Sequence, residues 1–165
     1  MITLLHNTLK EAIIMHLVLT YFHQIKGPEI LVSYPDAKLE EDIIEKLIRF
    51  FDLDINETFF EIILINKHKR ITNLYFELQS EWGRGKKELG MLSLIMKEKY
   101  ESRLIYTFLV DAVHKIITSE NSFKAFYKND DFHDNDIEID IGFEAIKKIL
   151  FNCLSSLINR LKFRP

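Results

Sequence analysis

The period of the hydrophobic pattern changes several times along this chain, and each change marks an element. Between 13 and 22, Ile13, Met15, Leu17, Leu19 and Tyr21 share one face of an extended segment, and Ile14, His16, Val18, Thr20 and Phe22 share the other. One face is wholly apolar and the other nearly so, which predicts a strand covered on both sides, in the middle of a sheet. A connection at 23–28 closes at Gly27-Pro28. It leads to a short strand from Glu29 to Tyr34, with Ile30, Val32 and Tyr34 on one face, and Pro35-Asp36 ends it. A short strand between two prolines suits a sheet edge. From 38 to 51 the period becomes helical: Leu39, Ile43, Leu47 and Phe51 recur four apart, flanked by Ile44 and Ile48, with Glu40, Glu41 and Asp42 in the first turn.

Alternation returns at 58–66, 70–80 and 88–97. Lys67-His68-Lys69 and the run Trp82 to Lys87 supply two turns, so the three strands form an antiparallel meander. Leu74, Phe76 and Leu78 share one face of the middle strand. The last strand is apolar on both faces, with Met91 and Ile95 opposite Leu92, Leu94 and Met96, and is placed centrally. A wide apolar stripe then predicts a helix over 101–119, with one further helical turn at 120–128. An acidic loop is expected from Asn129 to Ile141. A last helix follows Gly142, with Phe143, Ile146, Leu150, Cys153, Leu157 and Leu161 on one face. Residues 1–12 read as a weakly amphipathic lead, with Met15 as a second candidate start, and 13–165 as one domain in the order β-β-α-β-β-β-α-α.

Composition narrows the function classes. A chain of 165 residues suffices for one domain that buries about 70% of its unfolded surface. The net charge of −3, with both signs interspersed, argues against nucleic-acid binding. A single cysteine, Cys153, forms no intrachain disulfide and suits the cytoplasm. The run from Ala12 to Phe22 falls short of the ~18 uninterrupted apolar residues of a membrane span.

Candidate chemistry is sparse. Gly83-Arg84-Gly85-Lys86-Lys87 superficially resembles a phosphate loop, but Ser80 stands where the first glycine belongs and a strand follows, not a helix. A basic hairpin loop is the reading it supports, with a modest contact to a lipid headgroup or an acidic partner left open. In the acidic stretch, Asp134, Asp136, Glu138 and Asp140 alternate, yet the EF-hand spacing fails, since Gly142 and Lys147 occupy the wrong positions. The histidines lack zinc spacing, and no serine sits in a nucleophile elbow. No cofactor, no metal and no enzymatic activity are expected.

The first hairpin, Phe22-x-x-Ile25-x-Gly27-Pro28-x-Ile30-x-x-Ser33-x-Pro35, resembles that of longin domains, nearest those of DENN-type and nitrogen-permease-regulator-like trafficking regulators. The element order matches as well. The resemblance implies an α+β, longin/profilin-like fold. Its five-stranded antiparallel sheet runs in the order 2-1-5-4-3, with one helix on one face and two on the other. It also implies a protein-interaction platform whose partners are a second longin or roadblock-type domain and a small Ras-like GTPase. The third strand would then be an edge, apolar on both faces: Phe59, Ile63 and Ile65 on one, Phe60, Ile62 and Leu64 on the other. An apolar edge invites pairing with another chain. Phe59, Glu61, Ile63 and Ile65 are therefore the candidate interface of a homo- or heterodimer, together with the first helix. Glu61, Lys67 and Lys69 oppose this reading, because charge blunts edges. The alternative is that the first helix and the N-terminal lead cover the strand. The expected function is a non-catalytic, cytoplasmic adaptor that dimerises and binds or regulates a small GTPase or a trafficking-type assembly, with peripheral membrane contact left open. The alternatives are a structural subunit of a coat or tether without GTPase contact, and a small-ligand sensor on a profilin- or PAS-like sheet.

Overall fold

A computed structural model of the chain describes residues 15–36, 38–52, 58–97, 102–130 and 136–162. Its strands are β1 (His16–His23), β2 (Gly27–Tyr34), β3 (Phe59–Leu64), β4 (Lys69–Gln79) and β5 (Lys87–Lys97), and its helices are α1 (Glu41–Asp52), α2 (Ser102–Thr118) and α3 (Ile137–Lys162). The N-terminal lead lies outside the described residues. All strands pair antiparallel in the order β2-β1-β5-β4-β3. β1 and β5, each apolar on both faces, are internal, whereas β2 and β3 are the edges, β3 despite apolar residues on both of its faces.

Each face of the sheet has its own core. Leu17, Leu19 and Tyr21 of β1, Leu74, Phe76 and Leu78 of β4, and Leu92, Leu94 and Met96 of β5 pack with the inward stripes of α2 and α3. On the opposite face, Val18, Ile71, Met91 and Ile95 pack with Leu39, Ile43, Leu47 and Phe50 from the α1 segment. The period-two alternation divides each internal strand cleanly between these clusters. At Gly90, paired with Phe76, a Cβ would sit 2.5 Å from the Phe76 ring, so β5 needs a residue without a side chain there.

The first hairpin is tighter than its sequence suggests. Gly27 and Pro28 belong to β2, paired with His23 and Phe22. The connection shrinks to Gln24–Lys26 because His23 Nδ1 accepts the N–H groups of Ile25 and Lys26, both at 3.1 Å. Gly27 takes φ +80°, a conformation closed to most side chains. A bulge also breaks the expected alternation of β2: the partner register jumps from Leu19–Val32 to Thr20–Ile30. Ile30 therefore faces the α1 cluster, whereas Leu31, Val32 and Tyr34 join the α2/α3 core.

The last helix begins at Ile137 rather than after Gly142. Asp136 caps it, its Oδ1 accepting the Glu138 N–H at 2.9 Å, and Glu138 and Asp140 fill the first turn, where the helix dipole favours negative charge. Lys124 donates to Asp136 at 3.1 Å and to Glu138, and Lys128 donates to Asp140. Three of the four alternating carboxylates, Asp136, Glu138 and Asp140, are thus a helix start neutralised by lysines. Residues 131–135 of the expected acidic loop lie outside the described residues. The turn expected at 120–128 is a 3-10 segment, Ser122–Tyr127, and it is mostly buried.

Candidate interaction edge

The candidate edge is built by β3, whose six residues pair in unbroken register with β4, from Phe59–Leu74 to Leu64–Lys69. No strand among the described residues pairs with its outer side. None of its side chains is fully buried, and Ile63 is 45% exposed. Its two faces differ. Phe60, Ile62 and Leu64 lie beneath α1, with the Phe60 ring 5.9 Å from Phe50 and 5.4 Å from Tyr75. Phe59 points to the other face and meets Tyr106 of α2 edge-on at 4.8 Å. Glu61, on that same face, accepts from Thr72 Oγ1 at 3.5 Å.

Of the four residues assigned to the interface from sequence, Phe59, Glu61 and Ile63 share one face of β3. Ile65 does not extend that face. The strand ends at Leu64, and Ile65 opens a 3-10 turn that reaches Lys67, with His68 left-handed at φ 51°. Ile65 is 77% exposed there, at the corner beyond the strand. The alternation at 58–66 does not show where pairing stops, because a turn residue can be apolar too. The structure also adds a helix. Tyr106 and Val110, four apart and both exposed on α2, continue the apolar surface that Phe59 begins.

The lysines beside the edge are engaged elsewhere. Lys67 donates to Glu40 and Asp42, and Lys69 to Glu40 at 3.2 Å. These bonds hold the Glu40 and Asp42 carboxyls below their usual range and raise the Lys67 ammonium. The acidic start of α1, expected only to complement the helix dipole, draws both cations to the β3–β4 corner. They do not stand along β3 as charges that block pairing.

The remaining sequence candidates have structural explanations. In the turn Gly83–Lys87, Ser80 Oγ accepts the N–H groups of Trp82 and Gly83 at 3.2 and 3.0 Å, so two amides that could face an anion are taken up internally. Cys153 is buried, and burial pushes its thiol up, which disfavours the reactive thiolate. No three His, Cys, Asp or Glu side chains among the described residues are grouped to hold a metal. A cavity of about 260 Å³ opens between α2 and α3, with Phe108, Cys153, Leu157 and Arg160 in its walls. No strand residue lines it, so it is not a ligand pocket on the sheet.

One buried polar cluster gives only a faint sequence signal. Glu88 accepts from Ser80 Oγ at 2.8 Å and from the Tyr127 hydroxyl, and Gln24 Nε2 reaches Tyr127 at 3.2 Å and the Trp82 carbonyl at 3.3 Å. Burial, followed by the bond to Glu88, pushes the Tyr127 phenol up. The signal is parity: Glu88 is in phase with Leu92, Leu94 and Met96 and so faces the core. The cluster ties both turns at this end of the sheet to the 3-10 segment.

No protein-family model and no curated protein matches the chain. Among solved structures it is similar to the K. lactis Lst4 longin domain, with 9% identity over 85% of this chain and 96% of that one and a TM-score of 0.46. No helix among the described residues is long and apolar enough to cross a membrane. The sheet order 2-1-5-4-3, with α1 on one face and α2 and α3 on the other, is the arrangement that the resemblance of the first hairpin implies.

Proposed function

We propose that the chain is a non-catalytic interaction platform, a longin-type adaptor that pairs with a second longin or roadblock-type domain through β3. The observation that carries this reading is an edge strand without a proline, a bulge or a free lysine along it, and with Ile63 open to solvent. Such an edge offers backbone donors and acceptors to an incoming strand and apolar side chains to both new faces. Tyr106 and Val110 of α2 widen the contact. The partner class follows from the resemblance: paired longin and roadblock domains bind small Ras-like GTPases.

Sedimentation at micromolar concentration tests the pairing. A dimer that Ile63→Lys converts to monomer supports it for this chain alone. If only monomer is found, with and without a co-expressed longin or roadblock partner, pairing through β3 is wrong. Pull-down of small GTPases, in GDP and nucleotide-free states, tests the second step. Failure to bind in every state, alone and with a partner longin, removes the GTPase function and leaves the structural-subunit reading.

A further inference from the structure

The turns β1–β2 and β4–β5 lie at the same end of the sheet, because β1 runs antiparallel to β5 and Tyr21 pairs with Gly90 near that end. They touch: Gln24 of the first donates to the Trp82 carbonyl of the second at 3.3 Å. Lys26, Arg84 and Lys86 are exposed on these turns and make no ion pair among the described residues. Lys87 is paired with Glu77 at 2.9 Å; the acidic neighbours are Glu81, which is exposed, and Glu29 and Asp130, which are half-buried, with Glu29 accepting from Tyr21. The sequence gives a basic turn at 83–87, and the fold sets Lys26 beside it.

The same end carries apolar side chains. Ile25 is 77% exposed between Gln24 and Lys26, at the tip of the first turn. Phe22 and Leu89, one step past the Tyr21–Gly90 pair, are 40% and 39% exposed on the α1 side, with the Phe22 ring stacked on Phe51 at 6.1 Å. The backbone beneath them is fixed. His23 closes one turn, Ser80 closes the other, and Gly85 and Lys86 hold positive φ of 69° and 62°.

We infer that this end of the sheet docks on an anionic lipid bilayer, with Ile25 entering the headgroup boundary and Lys26, Arg84 and Lys86 facing the lipid phosphates and carboxylates. Charge complementarity selects the anionic surface. Size selects the bilayer over an acidic protein. Two short connections, residues 24–26 and 80–86, offer few side chains, whereas a specific protein interface takes roughly 800 Å² from each partner in complementary shape. A fluid interface needs no complementary shape to receive an apolar side chain between cations. In this pose the strands stand away from the membrane and the outer side of β3 remains open.

Co-sedimentation of the full chain with phosphatidylcholine vesicles, with and without phosphatidylserine, tests the inference. Binding to the phosphatidylserine vesicles alone, lost as salt rises, is expected. The combined variant Lys26→Ala, Arg84→Ala, Lys86→Asn should bind on the order of a hundredfold more weakly, about fivefold for each cation near an anionic surface. Ile25→Ser should weaken binding several-fold, and Ile63→Lys should leave it unchanged, which separates this surface from the β3 edge. Circular dichroism and the thermal midpoint establish that the variants fold, and the salt titration of the unaltered chain needs no variant. Absence of vesicle binding at low salt, or equal binding by the combined variant, overturns the inference. So does binding to soluble polyglutamate as tight as to the vesicles, which would assign the tip to an acidic protein.

Discussion

The sheet has two edges, and they differ in features that govern whether an edge strand accepts a partner. β2 contains Pro28, carries a bulge against β1 and touches both α1 and α3. Leu31 and Val32 are buried, and Tyr34 meets Phe151 of α3 edge-on at 5.2 Å. β3 pairs in regular register, has no buried side chain, and has its nearby lysines drawn off to Glu40 and Asp42. Proline and bulges are common devices for closing an edge. Among the described residues both fall on β2 and neither on β3, whose faces are covered by α1 and Tyr106 but whose outer backbone pairs with no described strand.

The largest effect is expected where the covered edge is broken from inside. Val32→Asp places a carboxylate in the α2/α3 core without a partner, and should lower unfolding free energy by on the order of 3 kcal/mol in urea titration. A loss below about 1 kcal/mol would mean that β2 is not anchored as described. Tyr21→Phe removes the hydroxyl that donates to Glu29 Oε2 at 3.2 Å and joins β1 to β2, and should cost about 1 kcal/mol.

The same residue gives an alkaline signature. Burial is the main cause that raises the Tyr21 phenol from 10.0 to about 12. A group whose folded pKa is raised stabilises fully below its unfolded value, so this contribution should fade as pH rises from 10.0 towards about 12. Tyr127 shifts in the same direction, so Tyr21→Phe should shrink the alkaline loss without abolishing it.

On the open edge the contrast should invert. Ile63→Lys should change monomer stability by no more than about 0.5 kcal/mol while abolishing self-association in sedimentation. A stability loss as large as that of Val32→Asp would show that β3 is covered after all.

The smallest effect concerns His16 on β1. Burial, with a contribution from Lys69, holds its pKa below 6.5, and its Nε2 has no hydrogen-bond partner among the described residues. A depressed pKa means that the unfolded chain takes the proton first. The stability tied to neutral His16 is therefore complete above pH 6.5 and is lost as pH falls through the folded value. His16→Leu should flatten that part of the pH profile in thermal melts; an unchanged profile would assign the acid sensitivity to other groups.

Much of the fold is legible from local pattern. Alternation at 13–22 and 88–97 places both internal strands correctly, and the stripe Leu39–Ile43–Leu47 faces the sheet as its spacing requires. The failures occur where local hydrogen bonding competes with the pattern. His23 captures turn amides and pulls Gly27-Pro28 into β2. Asp136 caps a helix inside what reads as an acidic loop. Ile65 keeps the alternation of β3 after pairing has ended. In each case hydrogen bonds to the backbone, invisible in a hydrophobic period, set the boundary.

The candidate edge divides in the same way. That Phe59–Leu64 is a strand with apolar residues on both faces follows from its sequence alone, because side-chain direction alternates by geometry. Whether that strand is open depended on contacts between residues far apart in sequence. Lys67 and Lys69 could have guarded the edge, and only their reach to Glu40 and Asp42, 27 and 25 residues from Lys67, shows that they do not. Period fixes which face a residue takes; partners across the fold decide what that face meets.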